Sequence, residues 1–174
     1  MKKVHLGCGS NYISGWVNID IDSPLADIAA DLRSPLAFED ASVDLVFNEH
    51  FLEHLSREQG LAFLRECRRI LRPGGRLRIS TPDLRWLIAQ YIGGQLDEWK
   101  DVGWQPDTSC SMLNEGMRLW DHRFVYDLDE LHRALGQAGF GTAIQVPHRR
   151  SAVAELANLE CRPYHRELIV EATA

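Results

Sequence analysis

Apolar residues in the N-terminal half come in short blocks separated by turn-forming residues, the spacing of strands rather than of long helices. Lys3 to Leu6 reads as a first strand, Trp16 to Ile21 as a second, Asp27 to Ala30 as a short third, and Val43 to Phe47 as a buried fourth. The pattern then changes period. Ser56 with Gln59 three residues on has the form of a capping box, and Leu61, Leu64, Cys67 and Leu71 make one apolar stripe behind it. Pro73-Gly74-Gly75 ends that helix. Arg76 to Thr81 carries Leu77 and Ile79 between polar neighbours as a fifth strand, and Pro82-Asp83 opens a helix to about Ile92.

From Gly93-Gly94 to about Tyr126 the periodicity weakens, in a stretch that holds Trp99, Trp104 and Trp120. Regularity returns where Asp127 caps a helix running through Leu131 and Leu135 to Gly139, followed by strands over Thr142 to Val146 and Glu167 to Glu171. This alternation predicts a single α/β domain over residues 1–174. Its sheet is mainly parallel, ligands meet it at the carboxyl ends of the strands, and residues 94–126 form an insertion or lid.

Composition narrows the class. The chain has 174 residues, 45% hydrophobic, and a net charge of -6, which argues against nonspecific binding to nucleic acid or an anionic membrane. No apolar run approaches the ~20 residues of a membrane span, and the N-terminus lacks a signal-peptide layout, so a cytoplasmic location is the default expectation. Cys8, Cys67, Cys110 and Cys161 are too dispersed for a zinc or redox motif. Of seven histidines only His50 and His54 share a helical spacing, and no metal is expected.

The candidate chemistry gathers at strand ends. Gly7-Cys8-Gly9 follows the first strand, Asp20 the second, Asp31-Leu32 the third and Asn48-Glu49-His50 the fourth. A glycine turn followed by a carboxylate on the next strand is how α/β folds hold an adenosine ribose. A dinucleotide enzyme would add a third glycine and a helix N-terminus for pyrophosphate. Tyr12 stands at the glycine position, and residues 7–15 are too few for a crossover helix.

The set His5-Leu6-Gly7-Cys8-Gly9, Asn18-Ile19-Asp20, Ser42-Val43-Asp44-Leu45-Val46, Leu52-Glu53-His54-Leu55, Arg69 through Gly75 and Gln137-Ala138-Gly139-Phe140 resembles the class I S-adenosylmethionine-dependent methyltransferases, in particular the small methyltransferase type 11 group. The resemblance implies a Rossmann-like three-layer sandwich. Its seven-stranded sheet would have an antiparallel last strand, with the helices between the first three strands reduced. It implies S-adenosyl-L-methionine as cofactor, with Leu6, Gly7, Cys8 and Gly9 near the methionine part, Asp20 on the ribose hydroxyls and Asp31-Leu32 beside the adenine. Asn48 and Glu49 complete the cofactor set. Asp22 is an alternative to Asp20, an ordinary loop aspartate is the lesser alternative for Asp31, and a core role the alternative for Leu32.

Methyl transfer needs a base only when the acceptor must lose a proton. His50, after the fourth strand, is the candidate; a cap or packing role is its alternative. Glu53 and His54 read as structural. The resemblance sets His122 and Arg123 beside an acceptor pocket, where they suit an acidic or hydroxylated ligand, and Trp86, Trp99, Trp104 and Trp120 wall such a pocket or fill the core. The row Arg65, Arg68, Arg69 and Arg72 reads as a solvated face paired with glutamates. A small-molecule or glycan-type acceptor is expected, the tail from Pro147 to Pro163 resembling that of members from polysaccharide clusters. A cofactor-binding partner without turnover is the alternative. Because the connections around the second strand are short, one sheet face needs a cover, expected from residues 94–126 or from a second subunit in a homodimer.

Overall fold

The computed structural model describes residues 1–96, 100, 103–162 and 166–174. Seven strands form one sheet: β1 Lys3–Leu6, β2 Val17–Asp20, β3 Ile28–Ala29, β4 Val43–Glu49, β5 Leu71–Thr81, β6 Thr142–Gln145 and β7 Leu168–Thr173. Their order across the sheet is β3-β2-β1-β4-β5-β7-β6, all parallel except β7, which runs antiparallel to both neighbours. The expected Rossmann-like topology, antiparallel strand included, is therefore present. Chain order reverses beside β1 and β4, and the ligand crevice of such sheets lies at that point.

Among the described residues four α-helices accompany the sheet: α1 Arg57–Ile70, α2 Leu84–Gly93, α3 Ser109–Arg118 and α4 Leu128–Gln137. The box at the start of α1 forms as its residues dictate, Ser56 Oγ accepting from Gln59 N and Gln59 Oε1 from Ser56 N. Asp83 and Asp127 cap α2 and α4. α1 and α4 bury Phe63, Leu64, Cys67, Leu131 and Leu135 against Val4, Leu6, Val46, Leu77, Ile79 and Val170, which is the main core. The Pro73-Gly74-Gly75 turn ends α1 but is drawn into β5, which begins at Leu71 and joins the sheet through a register shift. Gly75 has no room for a Cβ: Arg72 O lies 2.9 Å and Asp44 O 3.0 Å from where it would stand.

Among the described residues the opposite face of the sheet is covered without an α-helix, by loops and the short 3-10 turn Ala154–Leu156. Leu45 and Phe47 of β4 pack with Trp16 and Leu156, and Ile13, Val153 and Leu159 close the cluster. This layer comes from residues 10–16 and from the connection between β6 and β7, not from 94–126. The described part of residues 94–126 instead folds as α3 against α2, with Trp104 packed on Leu87, Met112 and Val125. Ile21, Leu25 and Ile28 beside β2 and β3 stay exposed.

A buried ion cluster holds the β6–β7 connection down. Arg78 of β5 donates from Nε to Glu160 Oε1 at 2.6 Å, and from an Nη to Glu171 Oε1 at 2.5 Å and the Arg150 carbonyl at 2.9 Å. The basic row on α1 does similar work. Arg69 pairs with Glu66 and Asp40 and donates to the Leu36 and Phe38 carbonyls, fixing the helix-free loop between β3 and β4.

Candidate active site

Without a helix after β1, the glycine turn is held by side-chain bonds. Asn18 Oδ1 accepts from Ile13 N at 3.0 Å, and its Nδ2 donates to the Ile13 and Trp16 carbonyls, each at 3.1 Å. Gly7 N and Cys8 N both donate to the Ile19 carbonyl. Gly7 needs to be glycine twice over. Its φ is +72°, and a Cβ would sit 3.0 Å from Phe51 Cβ.

Below this turn lies a cleft of about 760 Å3, lined along its length by Gly7, Cys8, Gly9, Asp20, Asp22, Asp31, Leu32 and Glu49. That volume suits a drug-sized ligand. Asp20 Oδ2 accepts from Gly9 N at 2.9 Å, and its Oδ1 from Asp22 N and Ser23 N at 3.0 and 3.1 Å. Three of its roughly four acceptor positions are thus used in shaping the turn. Asp22 also lines the cleft, and its carboxylate accepts nothing among the described residues. Asp31 is tied to Arg33 in a two-pronged ion pair, which holds its carboxyl below the usual range. Leu32 serves both readings, buried in the core and exposed at one edge to the cleft.

Two members of the expected cofactor set lie elsewhere. Leu6 and Asn48 are fully buried behind the cleft, and Asn48 Nδ2 donates to the Leu6 carbonyl at 2.8 Å. β4 runs to Glu49, two residues beyond the apolar run that marks it in the sequence, so Asn48 becomes an interior strand residue. Glu49 does reach the cleft and has an unforeseen duty. Its Oε2 accepts from Cys161 N and Sγ at 3.2 Å, and its Oε1 from Arg162 N at 3.3 Å. Partial burial and the Glu49 carboxylate push the Cys161 thiol up to about 11.

A second pocket of about 330 Å3 adjoins the first, walled by Trp86, Leu87, Trp104 and Trp120. His50, His54 and Arg162 line both cavities. His122 faces the smaller pocket; Arg123 is exposed and lines neither, so the cation at the junction is Arg162. Trp99 and Pro163 lie outside the described residues.

His50 follows β4 with φ at +49°, a conformation rare for a side-chain-bearing residue. Its Nδ1 lies 3.2 Å from Glu53 Oε1 and its Nε2 3.9 Å from Glu167 Oε1. Glu53 is wholly buried on the turn Leu52–His54, and Thr81 Oγ1 donates to its Oε2 at 3.0 Å. Burial opposes its ionisation, but the His50 ring beside it outweighs this and holds the carboxyl below its ordinary value. The Glu53 carbonyl accepts from Arg123 N and Phe124 N, bringing His122 edge-on to His54 with ring centres 5.1 Å apart. Burial lowers the His122 pKa, which favours the neutral ring. His122 Nδ1 lies 3.0 Å from the Gly116 carbonyl; a carbonyl only accepts, so Nδ1 carries the proton and Nε2 the lone pair.

Residues 4–79 match the family model described as methyltransferase domain. A protein of Mycolicibacterium smegmatis named "probable S-adenosylmethionine-dependent methyltransferase" is 43% identical over 60 residues, 34% of this chain and 23% of that protein. A Mycobacterium tuberculosis protein of the same description is 40% identical over 60 residues, and the match spans 21% of its length. The chain therefore matches less than a quarter of these curated relatives. Among solved structures, S-adenosylmethionine-dependent methyltransferases of Archaeoglobus fulgidus (TM-score 0.61, 16% identity, 99% of this chain and 86% of that one) and Mesorhizobium loti (TM-score 0.58, 20% identity, 99% and 90%) share the fold. The sequence match to a methyltransferase domain thus lies over residues 4–79, and the sheet topology is that of solved S-adenosylmethionine-dependent methyltransferases.

Proposed function

We propose that the chain transfers a methyl group from S-adenosylmethionine in the larger cleft to a hydroxylated small-molecule or glycan-type acceptor in the tryptophan-walled pocket. One observation supports this above others: the two cavities meet at His50, His54 and Arg162, so donor and acceptor sites share a wall. S-adenosylmethionine supplies a sulfonium methyl open to in-line attack. The cleft residues fit it, since Gly7 leaves a side-chain-free approach and the Asp20–Asp22 pair offers free acceptor positions for a ribose diol. Asp22 shares the ribose role with Asp20, because Asp20 already holds the turn.

Alignment and exclusion of water carry most of such a reaction. Trp86, Trp104 and Trp120 offer flat apolar faces suited to a sugar or aromatic ring, and the described part of residues 94–126, which supplies two of them, acts as the lid. Held in the cleft, S-adenosylmethionine would give its methyl to the acceptor oxygen, the electron pair of the carbon–sulfur bond staying on sulfur. His50 Nε2 takes the acceptor's proton, with Glu53 steadying the ring at Nδ1. Arg162 offers a positive rim for an acceptor carrying a carboxylate or phosphate.

The test is release of S-adenosylhomocysteine over a panel of sugars, phenols and amines. Turnover with a hydroxylated member is expected, and His50→Asn should lower kcat about 100-fold or more with unchanged cofactor affinity. Intact cofactor binding without turnover across the panel would replace this reading with that of a binding protein.

A further inference from the structure

At the junction of the two cavities, side chains from two separate segments converge in a pattern that proton transfer alone does not require. Glu53, His54 and His122 each offer one ligand atom, all within 4.8 Å of one another. Nitrogen and oxygen ligands around a divalent ion stand about 3 to 3.5 Å apart given metal–ligand distances near 2.0–2.2 Å, so a small inward movement closes the set. Their buried environment points the same way. Glu53 is fully buried with Oε2 taken by Thr81, and its Oε1 meets only the His50 ring, at 3.2 Å and without hydrogen-bond geometry. An unfilled lone pair on a buried carboxylate is costly unless a cation uses it.

The outer contacts match those that fix metal ligands. Metal-ligating histidines usually donate the second ring N–H to a carbonyl or carboxylate, which sets the tautomer and aims the free nitrogen. His122 meets that condition, its Nδ1 held by the Gly116 carbonyl and its Nε2 left with the lone pair. The edge-on arrangement of the His54 and His122 rings lets both nitrogens address one point. The Glu53 backbone clasps residues 123 and 124, so ligands from two turns are fixed to each other before any ion arrives. Glu53 Oε1 has two lone pairs and can keep His50 while ligating.

We propose that Glu53, His54 and His122 form a divalent transition-metal site, of the zinc or manganese type, between the cofactor cleft and the acceptor pocket. Two imidazoles and one carboxylate suit such ions and leave coordination positions open. His54 lines both cavities, which gives the ion a path of entry and sets an open position toward the acceptor. Given the methyl-transfer reading above, an acceptor oxygen on that position would lose its proton to His50 more readily, because a bound cation lowers the pKa of an oxygen ligand.

Co2+ reports the site independently of turnover. Tag-free, metal-stripped protein titrated with CoCl2 should bind one equivalent, with visible d–d bands of a four- or five-coordinate ion, and ZnCl2 should bleach them. Glu53→Gln and His122→Asn should each weaken Co2+ binding at least tenfold, while His148→Asn, outside both cavities, leaves it unchanged. Circular dichroism and S-adenosylhomocysteine affinity, measured on each variant, show that fold and cleft persist. Less than a tenth of an equivalent of Co2+ bound, or the same bands and affinity in the folded Glu53→Gln and His122→Asn proteins, would overturn the site. Cofactor binding by the wild type would stand in either case.

Discussion

Replacing Arg78 with methionine tests what holds the loop layer over the second sheet face in place. Arg78 is fully buried, and its guanidinium meets Glu160 from the β6–β7 connection and Glu171 from β7. In Arg78→Met two carboxylates face each other across a site that water does not reach. Breaking a buried pair by removing one partner costs about 3–5 kcal/mol, because the remaining charge loses both solvent and counter-ion. That is a third or more of the stability of many single domains, about 5–15 kcal/mol. With an m-value of about 2 kcal/mol per molar urea, the unfolding midpoint should fall by about 2 M. Exchanging the whole cluster, Arg78→Met with Glu160→Leu and Glu171→Val, should recover most of the loss, since no charge is left stranded. Equilibrium urea unfolding followed by tryptophan fluorescence and circular dichroism measures both. A loss below about 1 kcal/mol in the single variant, or a triple variant less stable than the single one, would refute this account of the cluster.

Three further outcomes are expected. Gly7→Ala should reduce S-adenosylhomocysteine affinity at least tenfold in calorimetry, and more than Gly9→Ala, because only at Gly7 does a new Cβ meet a neighbour, Phe51. Glu130, held down to about 2 first by Arg133 and also by Arg57, links α4 to α1. A carboxyl lower in the folded than the unfolded state stabilises above its ordinary value of 4.5 and loses that contribution as pH falls toward about 2. Urea midpoints across pH 2 to 6 should show a component of about 1 kcal/mol that Glu130→Gln removes. Cys161 should react slowly with iodoacetamide at pH 8, and Glu49→Gln should speed it severalfold by removing the adjacent negative charge.

The parts legible in the sequence are those that local chemistry decides. Strands β1, β2, β4 and β7 stand within two residues of where alternation puts them, and the caps at Ser56, Asp83 and Asp127 form as their side chains require. Helix α3 was hidden because its buried face is only Met112 and Gly116, too sparse for a periodic stripe. The Thr108–Ser111 capping box was its one available signal. Leu77 and Ile79 stand between polar neighbours, yet Arg78 and Ser80 are buried as well, and carboxylates from 82 and 93 residues along the chain neutralise the arginine. The same blindness to distance hid Arg162 and the burial of Glu53. His50 and His122 were named as separate candidates. What brings them to one cavity is the Glu53 carbonyl, a backbone contact that no side-chain pattern reports.

The central claim is that the cleft below the glycine turn receives S-adenosylmethionine. Calorimetric titration of the purified chain with S-adenosylhomocysteine, beside a parallel titration with NAD, tests it most directly. One equivalent should bind in the micromolar range, Asp20→Ala and Asp22→Ala should each weaken it, and NAD should give no heat. Saturable binding of NAD with none of S-adenosylhomocysteine would contradict the account.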